Sequence, residues 1–173
     1  MPMRMKQTRS TLYLQLGSSL IEVLVSLLVL SGGMLGIAGV QSVSLRNNQA
    51  AYFRTQATML TSEIIERMRA NKIAVDNDAY DDAAGAATAA CFTTAGCTPN
   101  QMAAQDILDW DADLAAALPG GVGIVCLDST GNDGTAAVPA CDGLGTIYVV
   151  KIFWDDNRDG TANQRLTTNW RPL

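Results

Sequence analysis

The run Asp155, Asp156, Asn157, Arg158, Asp159, Gly160 has the spacing most suggestive of chemistry in this chain. Asp155, Asn157 and Asp159 alternate as oxygen ligands do at the start of a calcium loop, and Gly160 stands sixth, where such a loop turns sharply. The twelfth position, which would supply a bidentate glutamate, is Leu166, and Arg158 adds positive charge. The same residues also spell an Asp/Asn/Gly turn between strands, and the incomplete ligand set favours the turn. Asp109, Asp111 and Asp113 form a second acidic group, expected as solvated charges on a helix flank. Glycoside hydrolysis would instead need carboxylates facing each other across a substrate. The sequence contains no histidine, which removes Ser-His and Cys-His nucleophiles and histidine zinc sites together. Neither an enzyme nor a cofactor is expected.

One further carboxylate is conspicuous by its surroundings. Glu22 is the single charge between Leu16 and Gln41, a stretch otherwise apolar or small. Leu20 to Val40 is long enough, as a helix, to cross a hydrocarbon core of about 30 Å. A carboxylate near the centre of such a helix costs about 2.5–3.5 kcal/mol, less toward its end. Glu22 therefore either reaches the solvated membrane edge or waits for a positive partner from another chain. Arg4, Lys6 and Arg9 precede the span with no acid among them, which places the N-terminus in the cytoplasm and the C-terminal domain on the exported side. Cys91, Cys97, Cys126 and Cys141 fit that side, since an even number at close spacing reads as structural disulfides in an oxidising compartment. Pairing Cys91 with Cys97 and Cys126 with Cys141 closes two local loops, the larger contributing about 3 kcal/mol on a chain-entropy estimate. Spacing alone leaves two other connectivities open.

The order Gly17, Ser18, Ser19, Leu20, Ile21, Glu22, Val23, followed by an uninterrupted apolar helix, resembles the prepilin signature of type IV pilins and type II secretion pseudopilins. The segments SLIEVLVSLLVLSGGMLGIAGVQ and NNQAAYFRTQATMLTSEIIERMRAN are similar to minor pilins of the PilV (type IV pilus modification protein) family. The resemblance implies that a prepilin peptidase cuts between Gly17 and Ser18. Ser18 is then N-methylated, where major pilins have phenylalanine. Glu22 becomes the fifth mature residue, which in the family pairs with the N-terminal amine of a neighbouring subunit. It further implies a pilin-like α+β fold, assembly with other minor pilins and the major pilin, and a place at or near a filament tip after residence in the inner membrane. A type II secretion minor pseudopilin is the alternative within the class. A permanently anchored periplasmic binding module is the alternative outside it.

These residues require particular elements to hold them. Residues 1–17 read as a cleaved leader, 18–45 as the transmembrane half of one long helix, and 46–173 as a periplasmic domain that includes its amphipathic half. Gly32, Gly33, Gly36 and Gly39 weaken the first half by about 1 kcal/mol each relative to alanine. Gly32 and Gly36 could allow close helix approach, or the cluster could mark where the helix melts on leaving the membrane; the resemblance implies the second. Phe53, Ala57, Leu60, Ile64 and Met68 make an apolar stripe along the second half, with Arg54, Glu63, Glu66, Arg67 and Lys72 as solvated charges. Residues 74–98 lack a sustained period and read as a surface excursion. Thr98 and Pro99 start a helix over 100–118, with Ala104, Ile107, Leu108, Leu114 and Leu118 toward the core. Residues 123–127, 147–154 and 164–170 are expected as strands, the middle one with Tyr148, Val150, Ile152 and Trp154 on one face and Lys151 on the other. Helix followed by antiparallel sheet is an α+β arrangement. After Gly17 there are nine basic against seventeen acidic residues, which argues against nucleic acid as a main ligand.

Processing at Gly17 generates the first prediction. A side chain there crowds the peptidase site, so Gly17→Glu should accumulate full-length precursor, whereas the wild-type N-terminus should begin at Ser18. Intact-mass measurement checks it, and a Gly17→Glu chain still starting at Ser18 would refute the assigned site.

Overall fold

The computed structural model describes residues 19–172; Gly17, Ser18 and the leader lie outside the described residues. The elements in chain order are α1 (Leu20–Ala70), α2 (Lys72–Asp76), a 3-10 turn (Ala89–Phe92), α3 (Pro99–Ala117), β1 (Val122–Leu127), β2 (Tyr148–Trp154) and β3 (Gln164–Trp170). The chain divides into two compact units after Leu45, and each is described by itself.

In the first unit every described residue from Leu20 to Leu45 is exposed. By length and composition this part of α1 is apolar enough to cross a membrane.

The second unit is built on a three-stranded antiparallel sheet in the order β1-β2-β3. Val122 pairs with Phe153 and Leu127 with Tyr148 on one side of β2, while Tyr148 pairs with Trp170 and Trp154 with Gln164 on the other. The long N-terminal helix packs on this sheet through its later half, giving the expected α+β arrangement. The stripe Phe53, Ala57, Leu60, Ile64 and Met68 is buried, together with Thr61 and Ile65. It shares one core with Tyr148, Val150, Ile152 and Trp154, which alternation along a strand places on one face. Asn71 separates α1 from α2, and its side chain donates to the Pro99 carbonyl (2.8 Å) and to the Tyr80 hydroxyl (3.3 Å).

α3 packs on the same face of the sheet as α1, and its start is set by a local sequence mechanism. Thr98 accepts from the Gln101 amide (3.3 Å) while Gln101 accepts from the Thr98 amide (3.0 Å), a capping box with Pro99 at the first helical position. Its buried face differs from expectation. Ala103, Ile107, Trp110 and Leu114 are buried, with Leu118 just beyond the helix, whereas Ala104 and Leu108 are only half-buried. Trp110 fixes this phase. It is fully buried, and its indole N–H donates to the Leu60 carbonyl at 2.9 Å, satisfying a group that a dry core cannot leave unpaired.

Residues 74–88 lie closer to the core than an excursion, whereas 89–98 stay at the surface as expected, with Phe92 exposed. Ala74, Val75 and Tyr80 are buried, and the Asp82 amide donates to the Val125 carbonyl (2.9 Å) while the Leu127 amide donates to Asp81 (2.7 Å), covering the outer edge of β1. The Ala86 amide donates to the Ala104 carbonyl (2.9 Å), and a side chain on Gly85 would meet the Leu108 backbone at 2.7 Å. Small residues let this segment lie flat on α3 without any periodic apolar signal.

Gly123 in β1 lies directly against α3. A Cβ there would run into the Trp110 ring and lie 2.5 Å from Leu114 Cδ1. Neither neighbour can withdraw from a closely packed core, so Gly123→Ala should destabilise the domain by about 1–3 kcal/mol. A lowered urea midpoint with an unchanged slope would check this.

Candidate functional site: the exposed apolar helix and the loop-covered sheet

The outer face of the sheet carries Val149, Lys151 and Phe153, with Cys126 and Ile124 beside them on β1 and Arg165 and Thr167 on β3, by the strand register. Alternation predicts Lys151 as the polar side of an otherwise apolar strand. Instead all seven residues of β2 are buried, and the Lys151 side chain is 0% exposed. The cover is the segment 128–146.

Three kinds of bond hold that cover down. The Cys126–Cys141 disulfide ties it to β1, and Cys91–Cys97 closes the other local loop, so both sequence-local pairs are bonded. Lys151 Nζ lies 2.6 Å from Asp128 Oδ2 and 2.9 Å from Asp133 Oδ1, and donates to the Pro139 carbonyl at 2.7 Å. Arg165 donates to the Gly134 carbonyl (2.7 Å) and the Asn132 carbonyl (3.0 Å). Gly134 has φ +82°, and a side chain on it would collide with the Pro139 carbonyl, so the loop can fold over Lys151 only with glycine there.

Electrostatics follow from this enclosure. Burial alone would raise the Asp128 carboxyl, but the bonds from Lys151 and from the Thr130 amide (2.9 Å) and hydroxyl (3.0 Å) outweigh it and hold it down at about 2. Lys151 is in turn raised: burial opposes its charge, and Asp128 and Asp133 overcome that. On the opposite side of the sheet, Arg67 is not simply a solvated charge. It donates to Glu63 (2.6 Å) and Asp106 (3.4 Å), and Asp106 accepts from the Tyr80 hydroxyl at 2.6 Å. Burial and Asp106 push the Tyr80 phenol upward.

The remaining sequence candidates fall in separate places. Glu22 is exposed in the first turn of α1, where its carbonyl accepts from the Ser26 hydroxyl at 2.7 Å. A Cβ added at Gly32, Gly33, Gly36 or Gly39 meets nothing within 4 Å among the described residues. In the Asp155–Gly160 segment, Asp155 accepts from the Asp159 (3.2 Å) and Gly160 (2.7 Å) amides, and Asp159 from Asn157 and Thr161 (both 2.8 Å). These carboxylates close a turn, with Arg158 at φ +58° and Gly160 at +90°. Among the described residues no group of three or more Asp, Glu, Cys or His is arranged to hold a metal. Asp109 accepts from Gln105 (2.9 Å), and Asp111 and Asp113 are exposed.

A family model described as type IV pilin Tt1218 matches residues 39–108. The match covers the amphipathic half of α1, α2 and the first part of α3, less than half of the chain. It supports a type IV pilin family for this chain, and the long helix packed on a small antiparallel sheet is consistent with a pilin-like α+β fold. No curated protein and no solved structure gives a significant match. The exposed apolar helix is compatible with membrane anchoring, and the pilin similarity with assembly into a pilus alongside other pilins.

The Lys151 cluster makes the stability of the domain depend on pH. The folded Asp128 value of about 2 lies below its ordinary 3.8, so its contribution is full above about pH 4 and is lost as pH falls toward about 2. Asp128→Asn should cost about 3 kcal/mol near neutrality by leaving a buried cation short of a partner. The stability gap between wild type and Asp128→Asn should then narrow between about pH 4 and pH 2. Urea unfolding at several pH values checks both statements.

Proposed function

We propose that this chain is a minor pilin of a type IV pilus. A prepilin peptidase cleaves it after Gly17, Ser18 is N-methylated, and residues 18–45 hold it in the inner membrane with residues 46–173 in the periplasm. It then enters the filament at or near the tip, helping to initiate assembly with other minor pilins and the major pilin. Its role is structural rather than catalytic.

The observation that carries this reading is the exposure of every apolar side chain from Leu20 to Leu45. Such a surface is not stable in water and needs either lipid or neighbouring helices around it. The open space around Gly32, Gly33, Gly36 and Gly39 agrees with that. No packing among the described residues requires glycine there, which favours local helix melting or close approach of a neighbour as the reason for them. The pilin match over residues 39–108 supports the same reading.

Glu22 supplies the test. In a bundle of apolar helices an opposite charge interacts with a carboxylate far more strongly than in water, and an unpaired one is costly. Glu22→Ala should be exported, processed and disulfide-bonded as wild type, yet be depleted at least about tenfold from sheared filaments, since one lost buried pair exceeds about 1.4 kcal/mol. Co-purification at the wild-type level would remove the assembly role, as a permanently anchored module requires.

A further inference from the structure

The second unit has a cavity of about 440 Å³ between the end of α1, α2 and the end of β3. Met68, Val75 and Trp170 form its apolar wall, and Arg69, Lys72 and Arg171 line it with positive charge. Met68 and Val75 are buried, while Trp170 is half-buried and stacks at a tilt on Tyr148, ring centroids 6.1 Å apart. The indole is thereby held in place before anything enters.

This grouping runs against the charge of the molecule. Nine basic residues follow Gly17 against seventeen acids, and three of the nine line this one cavity. The other cations of the domain core are engaged: Arg67 binds Glu63 and Asp106, Lys151 is enclosed, and Arg165 holds loop carbonyls. The cavity cations are held loosely. Arg69 pairs with Glu66 (2.5 Å) and Lys72 with Asp76 (3.0 Å), all four side chains more than half exposed. Pairs of this kind contribute little to stability and exchange readily for another carboxylate. The Arg171 guanidinium donates to Thr146 Oγ1 at the limiting distance of 3.5 Å. Helix-dipole compensation accounts for a cation at the end of α1, but Arg171 lies on a different element, directly after β3.

Resting on the pilin reading above, we infer that this cavity receives an acidic segment of a neighbouring filament subunit, a carboxylate beside an apolar side chain. The carboxylate meets the guanidinium groups of Arg69 and Arg171, which suit it bidentately, and the apolar side chain covers Trp170. Charge complementarity selects this occupant. A nucleic acid or a lipid surface would need an extended basic face, whereas Asp76 and Asp78 lie just beyond Lys72 along α2 and at its end.

The test places a photo-crosslinking phenylalanine analogue at Pro172 in the full-length chain, expressed in cells that make filaments. The expected product joins Pro172 to an Asp- or Glu-bearing peptide of another filament subunit. Arg69→Glu combined with Arg171→Glu should lower its yield at least about tenfold, because like charges then face each other. Changing the identified acid to Lys should restore it. A normal melting temperature and intact disulfides establish that the double variant is folded. Crosslinks to lipid, nucleic acid or the chain itself, a partner peptide without an acid, or a yield indifferent to the double reversal would each overturn the inference. If wild-type chain is recovered with sheared filaments in that case, only the cavity assignment falls; if it is never recovered with them, the assembly reading falls as well.

Discussion

A three-stranded sheet whose central strand is apolar on both faces must be covered on both, and in this domain the second cover depends on a buried ammonium group. One face of β2 is closed by α1 and α3, which bring large side chains and need no charge. The other is closed by a loop rich in Asp, Gly, Thr and Ala, which has little apolar surface to offer. Lys151 supplies what the loop lacks. Enclosed in the domain, its charge is tolerable only while Asp128, Asp133 and the Pro139 carbonyl surround it, and those groups lie on the loop itself. The burial of Lys151 and the ordering of residues 128–139 are therefore one event. The Cys126–Cys141 bond shortens the search for that arrangement by fixing one end of the loop to the sheet.

That dependence explains which parts of the fold are legible in the sequence. The stripe from Phe53 to Met68 and the strands 148–154 and 164–170 carry their periods in large apolar residues, and burial follows the period. The start of α3 is legible because a capping threonine followed by proline has a local mechanism. The inner partner of α3 is not. Ala104 and Leu108 make as good an apolar face as Ala103 and Ile107, and only the packing of Trp110 against Leu60 and Gly123 decides between them. Residues 74–88 resemble a surface excursion for a related reason. Their contacts are backbone amides and small side chains, which have no periodic signature. Alternation assigns Lys151 to the correct face, but its partners are 18 and 23 residues away in a stretch without pattern, so exclusion of water there leaves no mark in the residue order.

The candidate assembly residues present the opposite case. Glu22 and the four glycines stand out by composition and resemblance, and nothing in the described chain packs on the glycines or on the apolar side chains around them. The described residues offer no second surface against which such side chains could be satisfied. Their physical meaning lies in what surrounds residues 20–45 outside the subunit, lipid or other helices, and a folded monomer cannot display it.

The division of labour between the two units has an energetic consequence. The domain closes its core with contacts lying within residues 46–172: the Trp110 to Leu60 bond, the Arg67–Asp106–Tyr80 network, the Lys151 cluster and two disulfides. None of these draws on the apolar half of α1. The domain can then keep its structure whether residues 20–45 lie in lipid or among other helices, as the proposed transfer from membrane to filament would require. Exchange between those environments is also close to neutral in the hydrophobic term, since lipid chains and helix side chains are similarly apolar. What can direct the exchange is polar: a carboxylate such as Glu22 is costly alone in an apolar medium and is stabilised once a cation joins it there. Under the proposed function, one acidic residue in an otherwise uniform helix would bias the equilibrium toward assembly while the domain's own stability stays unchanged.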